Sequence, residues 1–60
     1  MHYSREIMNR ERKLVAFIKA HPELHEALGL WMSDRKTCEA VYPKESAMLR
    51  RDMPEFASDL

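Results

Sequence analysis

Three prolines divide this chain of 60 residues into segments that each suit a helix: Pro22, Pro43 and Pro54. Each of them is followed within two residues by a glutamate. Proline at the first helical position loses only an amide that has no helical partner, and an acidic side chain favours the positive end of a helix. The residue before a proline avoids the helical conformation, so the preceding helix ends there. We therefore predict an all-α fold of three or four short helices, with a helical hairpin that turns at Pro22.

The length of the chain allows only one small domain with a thin core. A chain of 60 residues buries about 60% of the surface that its unfolded form exposes, and small scaffolds usually need a disulfide, a metal or a second subunit. Cys38 is the single cysteine, which excludes an internal disulfide and suits a reducing compartment. We predict a single helical domain over residues 1–60, frayed at 1–3 and 57–60, that assembles as a homodimer in the cytoplasm.

Composition and charge limit the classes of partner. The apolar content of 45% is typical of a folded protein, and ten basic residues balance ten acidic ones. A net charge of zero offers no overall attraction to nucleic acid or to an acidic membrane. No apolar run approaches the roughly 18 residues of a membrane span, and the N-terminus lacks the apolar stretch of a signal peptide. We predict no membrane contact, and a freestanding chain of this size would suit a phage or plasmid accessory protein.

The first predicted helix covers residues 4–20, with Ser4 as its cap. Its apolar residues recur on one face at about 100° per residue, but Arg10 and Glu11 fall inside that face. If two copies of this helix pack antiparallel, Arg10 and Glu11 exchange salt bridges across the two-fold axis. The pattern predicts a dimer interface that consists of Ile7, Arg10, Glu11, Leu14, Phe17 and Ile18.

The second predicted helix covers residues 22–33 and carries the most regular apolar stripe in the chain. Helices over 34–42 and about 44–52 follow it. Ser33 or Asp34 caps the helix over 34–42, unless that helix is fused to the one over 22–33. The members of the stripe are Leu24, Ala27, Leu28, Trp31 and Met32.

The residues around Trp31 are candidates for partner binding. The chain contains five methionines, whose flexible side chains suit adaptable contact surfaces. Tryptophan is among the residue types that dominate binding hot spots. Leu30 lies off the apolar stripe, so we expect it to have no role in the core. The predicted partner-binding residues are Leu30, Trp31 and Met32.

The residues capable of chemistry form no complete motif. His21 and His25 have the i, i+4 spacing of a helical metal pair, with Cys38 or Glu26 as further ligands, but no Cys/His cluster completes four ligands. A catalytic Cys38 would need a base and an oxyanion site, and the chain has no glycine-rich loop to form one. We predict no metal, no cofactor and no enzymatic activity, and we expect Cys38 to be a small buried residue.

An alternative assigns residues 34–52 to DNA. The segment from Leu24 to Leu30 resembles the first helix and turn of a helix-turn-helix motif, in which a glycine lets the chain turn towards the recognition helix. That glycine is Gly29 here, while His25 stands where the motif has alanine. The basic residues available to contact phosphates in this alternative are Arg35, Lys36, Arg50 and Arg51.

The sequence favours a small regulatory protein, such as an inhibitor, an adaptor or an anti-activator, that binds another protein and performs no chemistry. The alternative is a compact transcriptional regulator that binds DNA. Salt separates the two, because a DNA complex loses about 0.9 log unit of affinity per contacted phosphate for each tenfold rise in salt, whereas an apolar interface is nearly insensitive.

Overall fold

The computed structural model describes residues 5–59 and, within the first helix, side chains from Met8 onward. The described residues form helices and no strand, which confirms the predicted all-α fold. The predicted cap at Ser4 and the predicted fraying of residues 1–3 lie outside the described part. The four α-helices are α1 (Arg5–Ala20), α2 (His25–Ser33), α3 (Arg35–Val41) and α4 (Pro43–Asp52), and two short 3₁₀ helices span Pro22–Leu24 and Pro54–Phe56. The second 3₁₀ helix is called the C-terminal turn below.

The prolines set the helix boundaries as the sequence predicts. Each proline is the first residue of a helix, because it lacks only an amide that the first turn leaves unpaired. The residues before them, His21, Tyr42 and Met53, have ψ angles of 66°, 67° and 43°, outside the helical region. The predicted segment 22–33 differs in one respect, since it begins as a 3₁₀ turn and becomes α-helical only at His25.

A break at Asp34 separates α2 from α3, so the two helices are not fused. Asp34 has φ −153° and ψ 85°, and its carboxylate accepts hydrogen bonds from the Thr37 amide at 3.1 Å and the Thr37 hydroxyl at 2.6 Å. These bonds, led by that of the hydroxyl, hold the pKa of Asp34 below its usual range. Asp34 is therefore the N-cap, whereas the Ser33 hydroxyl donates back to the Gly29 carbonyl at 3.0 Å.

The core lies among α2, α3 and α4, whose backbones pack most closely. The apolar stripe predicted on the second helix forms one side of this core, except that Met32 is 41% exposed. The Trp31 indole N–H donates to the Met53 carbonyl at 3.0 Å and so links α2 to the end of α4. The buried apolar residues are Leu24, Ala27, Leu28, Trp31, Cys38, Leu49 and Met53.

Ala57 and Ser58 dock on this core, within the segment 57–60 for which the sequence predicts fraying. The Ser58 amide donates to the Trp31 carbonyl at 3.0 Å, and the Ser58 hydroxyl accepts from the Arg35 amide at 2.7 Å. Helix ends leave backbone groups without helical partners, and Ser58 satisfies one at the end of α2 and one at the start of α3. Ala57 packs against the core beside it, and Leu60 lies outside the described part.

The α1 helix attaches through one flank to the rest of the described chain, residues 22–59, which is called the body below. Leu14, Phe17 and Ile18 are half-buried and pack against the core. The Lys13 ammonium pairs with the Glu55 carboxylate at 2.8 Å. Among the residues assigned from the sequence to a dimer interface, Leu14, Phe17 and Ile18 therefore pack within the chain. The dimer itself stays a prediction.

Arg10 finds its partners in the C-terminal turn. Its guanidinium donates to the Glu55 carbonyl at 3.1 Å and lies 5.1 Å from the centre of the Phe56 ring. These contacts explain how a charge lies within an apolar face, since the Phe56 ring attracts the cation and the Glu55 carbonyl accepts a hydrogen bond from it.

We predict that Trp31→Ala unfolds most of the protein at room temperature. Removing a buried aromatic ring costs about 3–5 kcal/mol, which is comparable to the whole stability of a domain this small. Met32→Ala is the matched control, because the neighbouring side chain is 41% exposed and its loss should cost less than about 1 kcal/mol. Urea denaturation followed by circular dichroism measures both, and equal losses would contradict the assignment of Trp31 to the centre of the core.

We predict that the contact of Lys13 with Glu55 makes stability depend on pH. The hydrogen bonds from Lys13 lower the pKa of Glu55, and the charges of Lys13 and Arg10 act in the same direction. The contribution is therefore complete above the unfolded pKa of about 4.3 and disappears as the pH falls through the lower folded value. For an exposed pair it amounts to about 0.2–1 kcal/mol.

The measurement is urea denaturation of the wild type and Glu55→Gln at pH values above and below the pKa of Glu55. The wild type should be more stable at neutral pH, and the two should converge in acid. Asp59→Asn serves as control, since the described structure gives Asp59 no ion pair. A constant difference at all pH values would show that the charge of Glu55 is not what holds α1.

Candidate functional site

An open apolar groove runs between α1 and α2. On α1, Leu14 and Ile18 lie four residues apart and therefore on one face, and Leu28 and Met32 have the same relation on α2. Met32, assigned from the sequence to partner binding, thus lines the same groove as Leu14 and Ile18, which were assigned to dimerisation. We call this surface the α1–α2 groove; its lining residues are Leu14, Ile18, His25, Leu28, Gly29 and Met32.

Gly29 forms the rim of this groove, and no contact among the described residues requires a glycine there. A Cβ at this position would meet no atom within 4 Å, and its φ is not positive. Since α2 continues through it to Ser33, the turn that the DNA-binding alternative places at Gly29 is absent. A glycine in a helix costs about 1 kcal/mol relative to alanine. No contact within the described chain offsets this cost at Gly29.

A second groove lies on the other side of Gly29, towards α3. Leu30 lines it and is half-buried against the core, so the expectation that Leu30 has no core role is wrong. Val41 is 59% exposed on the same surface. Partial burial raises the pKa of Tyr42 there, and the nearby Glu26 carboxylate raises it further. We call this surface the α2–α3 groove; its lining residues are His25, Glu26, Gly29, Leu30, Ser33, Val41 and Tyr42.

The three residues predicted to bind a partner do not share a surface. Met32 lies in the α1–α2 groove and Leu30 in the α2–α3 groove. Trp31 lies between them in the core with 1% of its surface exposed. A buried indole cannot contact a partner while the core is intact, so Trp31 stabilises the site without forming part of it.

The basic residues of the DNA-binding alternative are largely paired. Arg35 and Arg50 both bind the Glu39 carboxylate, the first at 2.6 Å. Arg51 pairs with Asp52, and this contact lowers the pKa of Asp52 and raises that of Arg51. Lys36 is exposed and has no ion pair in the described part of the chain. Glu39 and Asp52 therefore reduce the positive potential of this surface.

The side of α1 that faces away from the body carries exposed apolar and charged residues. Met8 is 42% and Val15 is 53% exposed. Glu11, assigned from the sequence to the dimer interface, lies on this side beside Arg12. The remaining residue of that predicted interface, Ile7, is within α1, but its side chain lies outside the described part. Helical periodicity identifies the faces of α1, but it does not show which face is exposed until the flank that packs on the core is known.

The residues capable of chemistry lie apart from one another. His21 contacts Glu23 at 3.4 Å and packs on the Phe17 ring at 4.9 Å, while His25 is exposed at the rim of both grooves. Cys38 is buried, where its thiol donates to the Ala27 carbonyl at 3.3 Å and accepts from the Ser46 hydroxyl at 3.1 Å. Among residues 5–59, no three His, Cys, Asp or Glu side chains are grouped to hold a metal ion.

Comparison with known proteins adds no relative from which a function could be transferred. No protein-family model matches the chain, and neither a curated protein nor a solved structure matches it significantly. None of the helices described here combines the length and the apolar character needed to cross a bilayer.

We predict that Gly29→Ala stabilises the protein by about 0.5–1 kcal/mol, because alanine loses less backbone entropy in a helix and its methyl group enters open space. Ala47→Gly, at an exposed position of α4, should cause a loss of similar size and is the matched control. Thermal denaturation measures both. A destabilised Gly29→Ala variant would mean that the fold itself needs the glycine.

Proposed function

We propose that this chain is a small regulatory protein, an inhibitor, adaptor or anti-activator, that acts as a cytoplasmic homodimer by binding another protein and performs no chemistry. The α1–α2 groove is the observation that carries the proposal. Its walls are apolar, it is open to solvent, and Met32 projects into it with 41% of its surface exposed. Contiguous apolar surface that stays exposed on a soluble protein is a mark of interaction sites.

The partner that suits this groove is an amphipathic helix of another protein. A groove between two helices accepts the apolar face of a third at i, i+3, i+4 and i+7 positions. Methionine adapts to a variable partner surface because its side chain is flexible and polarizable. Gly29 has no side chain at the rim, so a partner backbone can approach α2 closely there.

The charges of α3 and α4 count against the DNA-binding alternative. Arg35, Arg50 and Arg51 already bind carboxylates of the chain, and phosphates would have to replace these contacts. The α3 helix has only 7 residues, so it presents about two turns to a groove of the duplex. We therefore favour a protein partner.

We predict that Met32→Asp weakens binding of the partner at least about tenfold without unfolding the chain, because it places a charge in an apolar interface. The partner is recovered from host lysate with the wild type and purified, and its affinity for each variant is then measured by calorimetry. Ala47→Asp is the control, since it adds the same charge at an exposed position of α4. Circular dichroism confirms that both variants fold.

Two results would contradict the proposal. The first is equal binding of Met32→Asp and Ala47→Asp, which would exclude the α1–α2 groove. The second is a steep loss of affinity with added salt together with a nucleic-acid partner, which would favour residues 34–52 and DNA.

A further inference from the structure

The α1 helix lies outside the core of its own chain. Among the side chains from Met8 to Asp59, all buried core residues belong to the part of the chain between Leu24 and Met53. None of the described α1 side chains, from Met8 to Ala20, is buried; three are half-buried and the others are exposed. Residues from Pro22 onward therefore supply every buried core residue that the structure describes, and α1 covers one side of this body.

Few interactions hold α1 in this position. The apolar contacts come from Leu14, Phe17 and Ile18. The polar contacts to the body come from Lys13 and Arg10, which bind Glu55 and Phe56 of the C-terminal turn. Exposed ion pairs contribute little to stability, and none of the three apolar side chains is fully buried, so few buried contacts oppose the undocking of α1.

The junction between α1 and the body is short and lies outside both helices. His21 is the single residue between Ala20 and Pro22 and has φ −132° and ψ 66°. A rotation at this residue redirects α1 as a unit and separates Leu14, Phe17 and Ile18 from the core that they cover. A helix that pivots about one junction can dock on its own body or on that of a neighbouring copy.

We infer that the homodimer forms by exchange of α1, so that the α1 helix of each copy docks on the body of the other. The surface exposed by undocking is complementary to one known segment, which is α1 itself, in both apolar shape and charge. Exchange of an identical element recreates, between the two copies, every contact that α1 makes with the body in the monomer, and the symmetry closes the assembly at two. The inference rests on the self-association that is part of the proposed function.

Exchange of α1 also accounts for both the dimer interface predicted from the sequence and the contacts that α1 makes within the single chain. Leu14, Phe17 and Ile18 pack within the chain in the monomer, and the same side chains would pack between chains in the exchanged dimer. The contact of Lys13 with Glu55 would likewise become intermolecular. In this proposal, the apolar face of α1 has the pattern of a subunit interface because the same side chains pack between chains in the exchanged dimer.

The test mixes two charge-reversed variants, Lys13→Glu and Glu55→Lys. In each variant alone, positions 13 and 55 carry like charges, whether α1 docks on its own body or on that of an identical copy. In an exchanged heterodimer of the two variants, both contacts pair opposite charges. Both side chains are nearly half exposed, at 45% and 42%, so the reversals leave the core intact. We expect the mixture to form heterodimers on the order of tenfold above chance pairing.

The control mixture is Lys44→Glu with Asp59→Lys. It carries the same charge changes at exposed positions, so it measures any attraction due to net charge alone. One variant of each pair bears a mass tag, and native mass spectrometry counts homodimers and heterodimers. Added salt should reduce the preference of the test mixture, since it screens exposed charges.

The outcomes separate this inference from the proposals on which it rests. Excess heterodimer in the test mixture alone supports exchange. A wild-type dimer with equal pairing in both mixtures overturns exchange and leaves the homodimer standing. A wild-type chain that remains a monomer up to about 1 mM overturns both, while binding at the α1–α2 groove is decided independently by Met32→Asp.

Discussion

The hydrogen bond from the Trp31 indole to the Met53 carbonyl, inside the core, is the contact on which the rest of the structure depends. It joins the middle of α2 to the end of α4 at 3.0 Å. The Trp31 carbonyl then accepts the amide of Ser58, which brings the end of the chain back across α2. This return positions Glu55 and Phe56 to receive α1. One buried residue therefore organises both the core and the docking surface of a helix that does not enter it.

Local chemistry made the secondary structure predictable. Pro22, Pro43 and Pro54 act on their immediate neighbours, and Asp34 caps the helix that begins next to it, so these boundaries can be read without any tertiary information. The stripe on α2 was predictable for the same reason. A period of about 3.6 residues identifies an apolar face, and in a small protein the most regular face is the one that the core uses.

The candidate site was less predictable because it depends on which element covers each face. Periodicity marks the apolar flank of α1, but it cannot distinguish a second copy from the C-terminal turn as the cover. The contact between Lys13 and Glu55 joins residues 42 positions apart. Likewise, Leu30 lies off the stripe of α2 but is half-buried against the core. These are long-range effects that no local pattern contains.

The small size of the core connects the stability of this chain to its proposed function. With seven buried apolar residues in the part of the chain whose burial is described, the protein leaves some apolar surface exposed in grooves. Met32 and the flank of α1 are such a remainder, exposed or only weakly covered. A second copy or a partner helix that buries this apolar surface forms the complex and also stabilises the fold. The reason is that anything that binds only the folded state shifts the folding equilibrium towards it. For a chain of this kind, recognition and the completion of its core use the same apolar residues.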